Sequence, residues 1–336
     1  MKLFLYLAFS TLILSCNSTN QLVGQQSSKL DYANTITAQN LKEKLYVYAG
    51  DDMEGRMTGT KGQQKAVEYI RDFYIANGVA SAFGGDIYYQ NIPASYFKGR
   101  SDNKPSENVL AYIKGSEKPD ELIVISAHLD HVGTDKAGNV FNGADDDGSG
   151  TVSMMEMAAA FQQAVKDGNG PKRSILFLHV TGEEIGLFGS AYYVENPVFP
   201  LKNTVCNLNI DMIGRIDPDK KDNPDYLYLI GSNMLSQELQ DVSNEVNNKY
   251  INLELDYKFD DPNDPNRFYY RSDHYNFAKN DIPVIFYFNG VHEDYHKMTD
   301  TPDKIEYELM AKRAKLIFLT AWELANRDER IVLDKK

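Results

Sequence analysis

The stretch Leu122-Ile123-Val124-Ile125-Ser126-Ala127-His128-Leu129-Asp130-His131 sets an apolar run of strand length directly before two histidines and a carboxylate. Side chains alternate across a strand, so a run that is apolar at nearly every position needs cover on both faces. Runs of the same kind recur at Ile175–Val180, Leu208–Ile213, Tyr226–Ile230 and Val284–Phe288. Helical patterns lie between and after them, at Val152–Val165, around Ala191, at Leu235–Val246 and at Tyr307–Leu324. Upstream, a helical pattern opens at Leu41 and breaks at Gly50-Asp51-Asp52; Ala66, Tyr69, Ile70 and Phe73 then recur at amphipathic spacing before Gly78. This order predicts an α/β fold with a mixed, largely parallel central sheet and helices on both faces, as a single domain over residues 36–330 without internal repeats. In such sheets the chemistry collects at the carboxyl ends of the strands.

Composition narrows the function. The 336 residues carry a formal charge of −13, which opposes a general affinity for nucleic-acid phosphate. The two cysteines, Cys16 and Cys206, cannot build a Cys-rich zinc site or a disulfide scaffold, so a bound metal would rest on carboxylates and histidines. Lys2 and the apolar run Leu3–Leu14 read as a secretory signal over residues 1–15, too short to span a bilayer of roughly 30 Å. The string Ile13-Leu14-Ser15-Cys16 resembles a bacterial lipobox, which implies lipidation of Cys16 and export, with an outer-membrane anchor facing the periplasm or the cell surface. Residues 16–35 then read as a polar, flexible tether, and Cys206, between apolar neighbours, as a buried thiol. The acidic stretch Lys258–Asn266 reads as a surface loop.

Five short strings at or just beyond the ends of these elements supply metal-ligand chemistry. The first is His128-Leu129-Asp130-His131, where alternation puts His128 and Asp130 on one side; the carboxylate could then fix the imidazole of a metal-bound His128, or the pair could be a hydrogen-bonded strand end. The second is Gly143-Ala144-Asp145-Asp146-Asp147-Gly148-Ser149-Gly150. Three adjacent carboxylates exceed what a helix N-terminus needs, which points to a nearby cation or else to a solvated acidic turn. In Thr181-Gly182-Glu183-Glu184, one glutamate can bind metal while the other acts as a base. Asp211 stands in the apolar setting Asn209-Ile210-Asp211-Met212-Ile213, where a lone carboxylate needs a partner. The last string is Asp294-Tyr295-His296-Lys297.

In this order the strings give His, Asp, paired Glu, Asp and His, a nitrogen and oxygen set suited to zinc. They resemble the motifs of the co-catalytic di-zinc aminopeptidases, metallopeptidase family twenty-eight, over about residues 40–325. Glu54-Gly55-Arg56, Thr58-Gly59-Thr60, Gly186-Leu187-Phe188-Gly189-Ser190 and Ser272-Asp273-His274 fit as well. The resemblance implies a zinc-exopeptidase-like fold and two Zn²⁺ ions. His128 and Asp211 would hold one, Glu184 and His296 the other, and Asp146 would bridge them through a residue whose following peptide bond is cis. It also implies Glu183 as general base, Tyr295 as a donor to the oxyanion, Asp130 and Asp147 behind the ligands, and peptides with a free N-terminus as substrates.

His131, His179, His274 and His292 are not needed by this cage; His131, His179 and His292 read as structural, and the Ser-Asp-His string offers His274 a place behind the ligands. Rival activities on the same scaffold are a carboxypeptidase or dipeptidase and a glutaminyl cyclase. The lone tryptophan, Trp322, lies far from every motif, whereas such cyclases place tryptophans around the substrate. A non-catalytic scaffold would be expected to have lost ligands, and none is missing. Membrane contact is expected only through the lipid, and the sequence does not specify an oligomeric state.

Overall fold

The computed structural model describes residues 29–261 and 263–335; the leader, Cys16 and the tether up to residue 28 lie outside this range. Nine strands form one sheet: β1 (Ala80–Ser81), β2 (Tyr89–Ile92), β3 (Ser106–Ile113), β4 (Lys118–His128), β5 (Arg173–Val180), β6 (Thr204–Ile210), β7 (Tyr226–Ile230), β8 (Glu254–Asp256) and β9 (Val284–Phe288). Their spatial order is β1-β3-β5-β4-β6-β9-β7-β8, with β2 paired to β3. The four middle strands, β5, β4, β6 and β9, run parallel. Antiparallel pairing attaches β3 on one side and β7 on the other, so the sheet is mixed around a parallel centre.

Alternation along β4 explains why its middle, Leu122–Ile125, is apolar at every position. Ile123, Ile125 and Ala127 enter a large core with the helices α1 (Ala38–Tyr48), α2 (Lys61–Asn77), α3 (Gly150–Lys166), α5 (Gln237–Val246) and α7 (Tyr307–Asn326). Leu122 and Val124 face the opposite core, against Tyr193 of α4 (Phe188–Glu195) and Phe277 of α6 (His274–Ala278). Cys206 is fully buried in the first core, and burial pushes its thiol up to about 12, an inert setting. No helix among the described residues is long and apolar enough to cross a membrane.

The ordered domain extends past both ends of the expected span. Residues 29–34 are helical: Tyr32 and Ala33 are buried, the Tyr32 ring stacks on Trp322 at 5.7 Å, and Lys29 pairs with Glu323 at 3.2 Å. The polar composition of the preceding segment concealed this turn, and residues 29–34 are not part of the tether expected over residues 16–35. At the other end Ile331 is buried and the Asp334 carboxylate accepts from the Gln237 amide at 3.0 Å. Buried Arg313 of α7 donates to the carbonyls of Ile213 (2.9 Å), Arg215 (2.7 Å) and Tyr226 (3.0 Å), tying that helix to the turn after β6.

His179 on β5 is fully buried, with the Tyr74 hydroxyl 2.6 Å from Nε2, and burial pushes its pKa down to about 3. The unfolded histidine titrates near 6.5, so the neutral ring supports stability above that pH and withdraws it as pH falls towards 3. Between pH 7 and pH 5 this loss is about 2 kcal/mol. Urea unfolding of the metal-free protein is therefore expected to show a pH-dependent loss smaller by about this amount in His179→Gln; equal losses in both proteins would contradict it.

Candidate metal centre

All four parallel strands end at the same edge of the sheet, and their exits carry the five strings. β4 ends at His128, β5 passes into Glu183 and Glu184, β6 into Asp211, and β9 into the loop bearing Tyr295 and His296. The turn at residues 144–149, leading into α3, brings Asp146 between them. Successive strands β5 and β6 lie on opposite sides of β4, which opens a crevice at the edge where such sheets bind ligands.

The two oxygens of Asp146 face different partners. Oδ1 lies 3.1 Å from His128 Nε2, which is also 3.6 Å from Asp211 Oδ1. Oδ2 lies 3.0 Å from His296 Nε2, which is 3.1 Å from Glu184 Oε2. Ser272 donates to the outer oxygen of Asp211 at 2.6 Å and so orients it. The Asp146–Asp147 peptide bond is cis.

This donor set fits a metal. Among the described residues Asp146 Oδ2 and Glu184 Oε1 are buried without an aligned hydrogen-bond partner, an arrangement that a cation would relieve. Imidazole nitrogens facing carboxylates need either a proton or a metal between them. Without a metal the proton is favoured: burial opposes charge on His296, but Asp146 and Glu184 raise its pKa to about 10. His128 likewise rises well above the usual histidine range, burial being outweighed by Asp211 and Asp146.

Asp147 and Asp130 stand behind the ligand atoms. Asp147 also lies within reach of His128 and Asp211, but its oxygens accept from the backbone N–H groups of Gly150 (2.9 Å), Met212 (3.1 Å) and His128 (3.2 Å). Those bonds occupy it as a brace between three site segments. Asp130 departs from the expected contact. The ring Nδ1 of His128 lies 3.0 Å from the backbone carbonyl of Asp130 and 3.9 Å from its carboxylate, because the strand ends at His128 and alternation stops there. The carboxylate instead accepts from Thr58 at 2.7 Å and from the Glu183 amide at 3.2 Å, joining the first and third strings.

Glu183 is half-buried at the rim of the crevice, and burial, reinforced by Glu184 and Asp211, holds its carboxyl well above the usual range. The Tyr295 ring stacks on His296 with centroids 3.9 Å apart, and burial followed by the surrounding acids pushes its hydroxyl well above its ordinary value. Both residues line a small, half-open pocket beside Asp146 and Asp211, walled by Phe268, Phe286 and Phe288 with Arg271 at its side. Among the described residues Arg271 forms no ion pair; its guanidinium lies over the Phe268 ring at 5.2 Å.

The structure also revises the reading of the other histidines. His131 is not remote from the cage: its Nδ1 is 2.7 Å from Glu184 Oε1. His274 stacks on Phe286 at 4.9 Å, and the contact to a ligand comes from Ser272 of the same string. His292 meets Asp145 at 3.1 Å, and Asp145 accepts from Gly214 N at 2.6 Å. Asp300 and Arg215 were not expected in the site. Asp300 accepts from the amides of Asp145 (3.1 Å) and Asp146 (3.2 Å), and Arg215 pairs at 2.9 Å with Asp294, one residue before Tyr295. Upstream, Arg56 donates to the carbonyls of Asn142 (2.7 Å) and Gly143 (2.8 Å). Gly55 at φ 64° permits the close pass: a Cβ there would lie 2.2 Å from the Gly133 carbonyl.

Comparison with known proteins bears on the family and the fold. A probable zinc metalloprotease of Pyrenophora teres f. teres is 29% identical over 262 residues, covering 65% of this chain and 51% of that protein. A glutamate carboxypeptidase 2 homolog of Caenorhabditis elegans is 38% identical over 112 residues, 33% of this chain and 14% of that protein. The chain thus spans about half the length, or less, of these curated relatives. Its fold is similar to that of the LapA aminopeptidase of Legionella pneumophila, with a TM-score of 0.68 at 20% identity over 98% of this chain and 81% of that one. Residues 108–321, which carry all five strings, match the family described as Peptidase family M28, and the chain belongs to that family.

Proposed function

We propose that this chain is a zinc-dependent aminopeptidase with a two-ion site, releasing N-terminal residues from peptides. The observation that carries the reading is Asp146, whose two oxygens face two separate imidazoles, each grouped with a further carboxylate. His128 and Asp211 would hold one ion, Glu184 and His296 the other, with Asp146 shared. When bound, zinc supplies Lewis acidity towards a carbonyl oxygen and towards water. Glu183 accepts the proton of the attacking water and returns it to the leaving amine, a double role suited to a carboxyl whose pKa is raised. The Tyr295 hydroxyl stays protonated and donates a hydrogen bond to the developing oxyanion. The aromatic walls of the cavity take the terminal side chain. The names of the fungal and Legionella proteins, probable zinc metalloprotease and aminopeptidase, support the assignment.

A carboxypeptidase or dipeptidase is the second reading, favoured by the unpaired Arg271 on the cavity wall and by the name of the nematode relative. Amino-acyl chromogenic amides and N-blocked peptides distinguish the two. The amides are expected to be cleaved, chelator to abolish the activity and zinc to restore it; cleavage of blocked peptides alone would move the assignment to the carboxypeptidase. Glu183→Gln should lower kcat about 10²–10⁴-fold with metal content unchanged, and full activity in that variant would rule out the assigned base. Tyr295→Phe should lower kcat about 10²-fold with little change in KM; a change confined to KM would make the ring a packing element.

For the leader, the proposal is export and lipidation at Cys16, giving an outer-membrane anchor that faces the periplasm. Expressed with its own leader, the wild type should fractionate with membranes and Cys16→Ser with the soluble fraction. Equal partitioning would argue against the anchor.

A further inference from the structure

The two metal positions differ in their side-chain complement, and the difference lies in His131. Its side chain is fully buried, and its Nδ1 is 2.7 Å from Glu184 Oε1 and 3.8 Å from Asp146 Oδ2. His296 Nε2 approaches the same two carboxylates from the other side, at 3.1 and 3.0 Å. The two rings meet edge to face, with centroids 5.8 Å apart. A tetrahedral zinc shell with bonds near 2.0–2.2 Å places its donors about 3.3–3.6 Å from one another. The separations around this point, 2.7 to 3.8 Å, bracket that value.

Two further observations point to a ligand rather than to a packed core ring. Among the described residues neither nitrogen of His131 has an aligned hydrogen-bond partner, so its 2.7 Å approach to Glu184 needs a proton or a metal ion between the two atoms. The chain also makes room for the ring in this orientation. Gly143, at φ 54°, lies against it, and a Cβ there would stand 2.5 Å from both Cγ and Cδ2 of the imidazole. Any other residue at position 143 would clash with this ring and with the backbone carbonyl of Asp146.

We infer that His131 is a further protein ligand of the Glu184–His296 position, which then has four side-chain donors, His131, Asp146, Glu184 and His296, against three, His128, Asp146 and Asp211, at the other. This rests on the two-ion reading proposed above. A shell completed by the protein holds its ion more tightly than one with an open place, so the position with His131 fills first and is the last to be stripped. The His128 position, which borders the cavity, exchanges its ion more readily.

The test is stepwise loading of the metal-free protein with zinc, and separately with cobalt, followed by metal analysis, competition with a chelator and X-ray absorption. In the wild type the first equivalent should show two imidazoles on the ion. In His131→Gln the first-equivalent affinity should fall more than about 100-fold, beyond the usual effect of a residue behind a ligand, with one imidazole lost from that ion. His128→Gln should leave the first equivalent intact and weaken the second. A wild-type first equivalent carrying a single imidazole overturns the assignment without reference to any variant, as does a first-equivalent affinity in folded His131→Gln within about tenfold of the wild type. Uptake of two ions with either of these results defeats only the role of His131, whereas uptake of none defeats the two-ion reading along with it.

Discussion

Asp146, Glu184 and Asp211 converge with Glu183 on a few ångströms at one edge of the sheet, three of them nearly shut off from water. Carboxylates so close and so buried repel one another strongly, and the arrangement holds only if positive charge lies among them. His128, His131 and His296 aim ring nitrogens into the same space, so protons or metal ions supply that charge. Much of the surrounding scaffold can be understood as keeping this cluster in place.

That scaffold works largely through backbone groups. Asp147 gathers amides from three segments, Asp300 gathers the amides of Asp145 and Asp146, and Asp130 takes the amide of Glu183. The carboxylates behind the ligands thus hold the loops, while the ligand oxygens stay turned inward. Arg56 and Arg313 do the complementary work, holding carbonyls of the loops before Asp146 and after Asp211. The functional edge is consequently stiff where the ligands sit. The aromatic wall of Phe268, Phe286 and Phe288 belongs to a separate small cluster beside it.

Much of the fold was legible because its signals are local. A strand apolar at nearly every position betrays burial on both faces, as in Leu122–Ala127 and Ile175–Val180, and the first and third strings follow such strands directly. The candidate site was legible to the same extent, since its strings stand at or just beyond the ends of elements in chain order: His128, Glu184, Asp211 and His296 after strands, Asp146 before α3. Less visible was anything set by pairing across long separations: the antiparallel flanks at β3 and β7, the turn at residues 29–34, and Asp300, whose contact to Asp146 spans 154 positions.

Residue type and order along the chain therefore sufficed for the α/β layering and for the ligand types, because side-chain period and metal chemistry are properties of short segments. The orientation of each side chain was another matter. Asp130 turned its carboxylate to Thr58 instead of His128, Asp147 became a brace, His274 yielded its expected place to Ser272, and His131 moved from the core into the cage. Each of these outcomes depends on where a strand stops and which distant loop packs beside it. Such contacts exist only once the sheet edge is assembled, and no local pattern encodes them.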